Sequence, residues 1–205
     1  GAGPHQVTQK DGERWSSARA FLHPVMDRPN LTVLTGAHVT RILFSGRQAV
    51  GVEIERKGER QSIEAEREIV LSGGAINSPQ LLLLSGVGPK QDLARHGIGL
   101  VADLQGVGQN LQDHLDVTVM IRDRSKQAVG VAPGFLPRAV AGLWQYWRKR
   151  EGFLSSNVAE TGGFAKLSPQ SELPEVQFHF LPTYLRNHGR NLAPGYGATL
   201  HMCQL

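Results

Sequence analysis

The residues of this sequence able to do chemistry are a few polar side chains set among glycines. The densest group is Gly106-Val107-Gly108-Gln109-Asn110-Leu111-Gln112-Asp113-His114. Its amide, carboxylate and imidazole groups sit on a Gly-rich loop. Asn and Asp there can organise a ligand, or they can cap the loop's own backbone. A second stretch, Gly73-Gly74-Ala75-Ile76-Asn77-Ser78-Pro79-Gln80, places paired glycines before a helix. Without a Cβ, the backbone there can approach a ligand closely, or simply turn tightly from strand to helix. Asp113-His114-Leu115-Asp116 offers three candidate metal ligands, so a metal-binding module is one alternative. It lacks the HExxH or paired-Cys spacing that such a site needs. Three Gly-x-Gly runs are decoys for a dinucleotide turn. Gly1-Ala2-Gly3 runs into Pro4 with no strand before it, Gly86-Val87-Gly88 follows a helix, and Gly106-Val107-Gly108 leads into Gln-Asn.

The elements that position these residues follow from pattern. Residues 6–9 suggest a short strand, and Ser16-Ser17 a capped short helix that ends by Pro24 and Pro29. Strands are expected at Leu31–Leu34, His38–Phe44, Ala49–Ile54, Ser62–Glu66 and Glu68–Ser72. The turns Ser45-Gly46 and Lys57-Gly58 separate several of them, as in an antiparallel meander. Val50, Val52 and Ile54 alternate with period two, the mark of a half-buried strand. Ile69-Val70-Leu71 followed by Gly73-Gly74 suggests a parallel-type strand entering a helix. That helix is expected to start at Ser78-Pro79, with Ser78 as its cap and Pro79 in its first position, and its Leu81–Leu84 run to be deeply buried. A short helix follows near Lys90–His96. From about Leu115 the texture changes. Val117, Val119 and Ile121 alternate as a strand, Ala139–Arg150 reads as an amphipathic helix, and further strands are expected at Thr161–Lys166, Val176–Leu181 and Ala198–Gln204.

Composition bounds the rest. The 205 residues suffice for one large domain or parts of two, and 40% hydrophobic content is enough for a sizeable core. No apolar run approaches the roughly 18–20 residues of a membrane helix, and no secretory signal is visible. The single Cys203 excludes an intramolecular disulfide and fits a reducing compartment. A net charge of +4 is mild. Its one compact basic run, Arg148-Lys149-Arg150, reads as a solvated helix end, with a nucleic-acid or lipid-surface patch as the lesser alternative. The missing initiator Met and the final ATLHMCQL, which stops in mid-strand, read as cuts in a longer chain.

Two segments carry a family resemblance. Gly73-Gly74-Ala75-Ile76-Asn77-Ser78-Pro79-Gln80-Leu81-Leu82-Leu83-Leu84-Ser85-Gly86-Val87-Gly88-Pro89 closely resembles the second signature of the glucose–methanol–choline (GMC) oxidoreductases. Gly106–His114 resembles the VGxNLQDH segment that follows it in that family, and the order and spacing match as well as the letters. Weaker similarity runs through Arg14–Leu22, Asn30–Val39, Glu160–Phe164 and Gln177–Pro182. The last two resemble most the choline dehydrogenase and aliphatic alcohol dehydrogenase branch. The fold implied is α/β followed by α+β: residues 1–114 as part of a Rossmann-like FAD-binding domain with a β-meander, and 115–205 as part of an antiparallel-sheet substrate domain.

The resemblance also implies a cofactor, FAD, and roles for particular residues. Val39 matches the position whose backbone reads the adenine edge. Gly73 and Gly74 close a strand near the adenosine half. Asn110, Gln112, Asp113 and His114 lie on a loop packed near the flavin. Glu160 is the one candidate substrate carboxylate, able to pair with a quaternary ammonium if the substrate is choline-like, or else a structural ion pair. The family's G-x-G-x-x-G turn and its catalytic His near the C-terminus have no match here. No catalytic residue is therefore assigned, and His114, His179 and His201 match no catalytic motif. The whole protein is expected to oxidise a primary alcohol, choline-like or aliphatic, to the aldehyde by hydride transfer to flavin. Electrons would then pass to oxygen or a membrane carrier. The fragment alone is expected to be inactive, with no nucleic-acid partner. The expected location is cytoplasmic, with membrane association of the parent protein left open. A non-catalytic paralogue of the same fold is the alternative.

Overall fold

The computed structural model describes residues 1–187 and 190–205. Its principal elements in chain order are β1 (Ala2–Pro4), β2 (His38–Ser45), β3 (Gln48–Arg56), β4 (Glu59–Glu64), α1 (Gly74–Leu84), α2 (Lys90–Arg95), β5 (Asp116–Arg122), α3 (Leu136–Lys149), β6 (Thr161–Ala165), β7 (Val176–Leu181) and β8 (Gly195–Gln204). They form two compact units, one of Pro29–Asp113 and one of Gly1–Arg28 with His114–Leu205. Among the described residues no helix is long and apolar enough to cross a membrane.

In the first unit β2, β3 and β4 form the expected antiparallel meander. The β2–β3 ladder shifts register between Val39 and Arg41, which leaves Thr40 as an extra residue, and again between Leu43 and Phe44. Such a bulge bends its strand and re-aims the side chains beside it. The buried apolar residues here are Ile42, Ile54, Val87 and Leu93. Helix α1 packs on β2, and Val87–Gly88 pairs in parallel with Ala102–Asp103.

Several local expectations for this unit change. Helix α1 begins at Gly74 rather than Ser78, so Pro79 lies inside it. The Ser78 hydroxyl still serves the helix start, accepting the Gly73 amide at 2.9 Å from within the first turns. The Leu81–Leu84 run is only half-buried, with Leu84 49% exposed, because the helix rests on β2 and on the Val87–Gly88 segment and its remaining surface stays open. Neither Leu31–Leu34 nor Ile69–Leu71 forms a strand. A strand needs a neighbour to take its backbone hydrogen bonds, and none of the described strands runs beside either segment.

The second unit is built on one antiparallel sheet, in the order β1-β6-β7-β8, with β5 on the far side of β8. Thr199 of β8 is fully buried, and both bonding capacities of its hydroxyl are used. It donates to the Thr183 carbonyl at 2.9 Å and accepts the Leu185 amide at 3.1 Å. Helix α3 reaches from Leu136 to Lys149 and lies on Phe135 and Phe153, whose rings meet edge-on at 5.6 Å. Gly142 makes that packing possible, since a Cβ there would sit 2.0 Å from Cε1 of Phe153. The division expected from sequence put residues 1–28 with the first lobe. They belong with the second unit because β1 pairs with β6, Ala2 opposite Gly163, and the His5 amide donates to the Glu160 carbonyl at 2.9 Å.

Candidate functional site

Two grooves flank α1, and between them they collect most of the candidate residues of the first unit. The larger has a volume of about 750 Å³ and is lined from β2 by His38 and Val39, from the segment before α1 by Ile69–Gly73, and from α1 by Asn77, Ser78 and Gln80. Val39 and Gly73, 34 residues apart in sequence, thus face one space. The volume falls within the range of ligand pockets.

This groove joins apolar walls, among them Val52, Leu81 and Leu84, to backbone and small polar groups, and the local sequence explains the latter. The β2 bulge at Thr40 directly follows Val39 and is fastened by the Thr40 hydroxyl, which donates to Glu53 Oε1 at 2.7 Å. The Glu53 carboxylate also faces Arg41 at 3.6 Å and Arg60 at 3.9 Å. The Thr40 hydrogen bond first, and the two guanidinium groups less, hold it below the ordinary carboxylate range against the opposing effect of burial. At the other wall the chain turns into α1 through Gly74 at φ +84°, and a Cβ there would meet nothing within 4 Å. The turn therefore needs glycine for its backbone angle, and it leaves open space beside the helix start. The first amides of a helix have no partner within it, and no side chain caps them beyond the Ser78 bond to Gly73. They are the donors that favour an anionic or carbonyl-bearing ligand.

The second groove, of about 660 Å³, lies between α1 and the loop that carries Gly106–Gln112. Asn110 lines it and adopts φ +57°, the left-handed conformation that Asn tolerates better than most residues. Its side-chain oxygen accepts from the Gln112 amide at 2.9 Å, so part of its capacity serves the loop itself. Asp113 and His114 are exposed and fall on either side of the division between the units. Glu160 is exposed and lies immediately before β6. Sequence reasoning took Ser78 as a helix start, and so missed Asn77 and Gln80 as groove-lining groups. An Asn-x-x-Gln pair on the first turns of a Gly-initiated helix was the available signal.

Two of the histidines set aside from catalysis, His179 and His201, gather with His5 in the other unit. The rings of His5 and His179 stack at 5.0 Å, His179 pairs across the ladder with His201, and His201 Nδ1 lies 2.7 Å from Asp116 Oδ2. Burial first, then the neighbouring His5 and His201, holds His179 below its usual range despite the opposing pull of Asp116. Burial and the Asp116 carboxylate push the Cys203 thiol up, which makes it a poor nucleophile near neutrality. Among the described residues no group of three His, Cys, Asp or Glu side chains is placed to hold a metal ion.

Comparison with known proteins adds the following. The GMC oxidoreductase family profile matches residues 1–116. An alcohol dehydrogenase [acceptor] of Pseudomonas putida is 58% identical over 207 aligned positions, covering 100% of this chain and 38% of that protein. The mitochondrial choline dehydrogenase of Mus musculus is 45% identical, covering 93% of this chain and 32% of that protein. Among solved structures, a formate oxidase superposes with a TM-score of 0.83 at 25% identity, over 96% of this chain and 38% of that one. A pyridoxine 4-oxidase from Mesorbium loti superposes at 0.75 with 27% identity, over 100% of this chain and 36% of that one. The chain thus spans about a third of the length of these relatives, from 32% to 38%.

Proposed function

The chain belongs to the GMC oxidoreductase family, and on that premise we propose that the whole protein binds FAD and oxidises a primary alcohol to the aldehyde. The observation that carries the cofactor assignment is the groove in which Val39 of β2 faces the Gly73 turn. It combines apolar walls with backbone and small polar groups at the start of α1, a mixture that suits a nucleotide with an aromatic base and a polar tail. Val39 would offer backbone groups to the adenine edge beside a bulge that takes Thr40 out of the ladder. Gly73 and Gly74 would let the chain pass close to the adenosine half, and the first amides of α1 would donate to it. The loop at Asn110, Asp113 and His114 would complete the flavin side. When bound, FAD supplies the acceptor for a hydride removed from the CH–OH carbon.

The group that takes the alcohol proton is assigned to none of the residues of this chain. For the substrate, an aliphatic alcohol is favoured over choline. Identity to the alcohol dehydrogenase exceeds identity to the choline dehydrogenase, and Glu160, the one carboxylate suggested for a quaternary ammonium, is exposed. Reduced flavin would pass its electrons to oxygen or to a membrane carrier, and the lone thiol Cys203 supports a reducing, cytoplasmic setting for this part of the protein.

The test is anaerobic addition of 1-octanol or choline to the whole protein while the flavin absorbance is followed. Bleaching by the alkanol with formation of octanal is expected. Bleaching by choline alone would move the substrate assignment to the choline branch. No bleaching by any primary alcohol would favour a non-catalytic member of the family. Subsequent admission of air distinguishes an oxidase, which recolours at once, from a dehydrogenase.

A further inference from the structure

One row of side chains crosses the sheet of the second unit, and the flavin chemistry proposed for the protein uses none of it. His5 directly follows β1, His179 lies on β7, His201 stands opposite it on β8, and Asp116 opens β5. The His5 and His179 rings stack at 5.0 Å with their planes 26° apart. His201 Nδ1 lies 2.7 Å from Asp116 Oδ2, and the Cys203 thiol faces the other oxygen of that carboxylate at 3.6 Å. Strand β6 runs between β1 and β7 and sets Gly162 against the His5 ring, where any Cβ would collide with Nε2. No residue of β6 is titratable, and the neighbouring Glu160 is exposed and offers His5 only its carbonyl. All of these groups belong to one unit.

The arrangement suits neutral rings. His5 Nε2 is buried and has no hydrogen-bond partner among the described residues. A neutral ring can leave an acceptor nitrogen unpaired at modest cost, whereas an imidazolium must satisfy two N–H donors and a charge. A proton on His179 would also sit between His5 and His201. Burial and those two neighbours hold His179 below its usual range, against the pull of Asp116. Strand β1 is the element that gives way. Its three residues are all exposed, and it lies at the edge of the described sheet. Ala2, Gly3 and Pro4 bury little, and Pro4 has no amide to donate. The His5 ring is the bulkiest group tying this strand to its neighbours.

We propose that the His5–His179 stack is an acid-sensitive latch: neutral rings hold β1 on β6, and protonation releases β1 while the β7–β8 ladder stays closed. Release frees the Glu160 carbonyl and the outer edge of residues 161–163. The neutral form is the one that the folded contacts favour. The latch is therefore closed above the ordinary imidazole value of about 6.5 and opens as pH falls below it.

The experiment is hydrogen–deuterium exchange of the whole protein at about pH 7.5 and about pH 5.5, on either side of the imidazole range. Mass spectrometry reads it as protection relative to the unfolded chain at the same pH. The reporters are the His5 and Phe164 amides, which donate to the Glu160 and Gly1 carbonyls, and the amides of the β7–β8 ladder. One proton taken up on opening changes the opening constant by at most about tenfold per pH unit, so protection of the first pair should fall roughly three- to tenfold on acidification. Protection of β7–β8 should stay well above it. His5→Phe keeps a ring on Gly162 that takes no proton, and it should abolish the fall. His179→Gln removes the repulsion within the stack, should shrink the fall, and serves if the first variant does not fold. Unchanged protection of the His5 and Phe164 amides in the parent protein at the lower pH overturns the proposal. So does a fall of parental size in a folded variant, which would place the acid-sensitive group elsewhere. A common exchange rate for the two ladders at the lower pH also overturns it, because the sheet would then open as a whole.

Discussion

The buried Ser85 hydroxyl accepts the Ile42 amide at 2.9 Å and donates to the Leu81 carbonyl at 2.6 Å. One side chain thereby joins the end of α1 to β2, on the strand that carries Val39. Replacing Ser85 by Ala strands the Ile42 amide in a buried position, at a cost of about 1–3 kcal/mol. Urea unfolding should show that loss with an unchanged slope, whereas an unchanged midpoint would mean that the bond is dispensable.

Gly74→Ala tests the turn into α1. An alanine forced to the positive φ of this position costs roughly 1–2 kcal/mol. A Cβ there projects into the open space where a ligand would approach. Weaker FAD retention by the whole protein than the stability loss alone explains is expected, measured by titrating released and rebound flavin. Wild-type affinity in Gly74→Ala would detach this turn from the cofactor.

The Thr40–Glu53 bond gives a pH signature. Glu53 has a lowered pKa in the folded protein, so its contribution is fully present above the unfolded carboxylate value of about 4.3 and is lost as pH falls through the lower folded value. Thr40→Val removes the largest cause and should shift the acid unfolding midpoint to higher pH, as followed by circular dichroism. An unmoved midpoint would place the acid-sensitive group elsewhere.

His179 acts with the same sign, in a higher pH window. Its folded pKa lies below the usual value of about 6.5, so the unfolded chain takes up the proton more readily. The stability conferred by the neutral ring is present above about pH 6.5 and is lost as pH falls through that value toward the folded one. His179→Gln should flatten this part of the stability profile, and a profile with the same slope would assign the sensitivity to another group.

Much of this arrangement was legible in sequence wherever the determinant is local. Period-two alternation at Val50, Val52 and Ile54 placed β3, and the Ser45-Gly46 and Lys57-Gly58 turns fixed the meander. Helix α1 shows the limit. Ser78-Pro79 is a strong local start signal, yet the Gly73-Gly74 turn and packing on β2 begin the helix four residues earlier. Ile69–Leu71 has strand composition but no described neighbour with which to bond. Pairings distant in sequence could not be read either. The approach of Gly73 to Val39, the β1–β6 ladder and the Asp116–His201 pair each depend on how separate elements come together. Family resemblance pointed to Val39 and the glycines, while Asn77 and Gln80 emerged only with the groove.

The most direct test is the FAD content of the purified whole protein, measured by denaturing release and compared with protein concentration. Near one FAD per chain is predicted, either as isolated or after incubation with FAD. A protein that carries no flavin and takes none up would contradict the assignment of the Val39–Gly73 groove as part of a cofactor site.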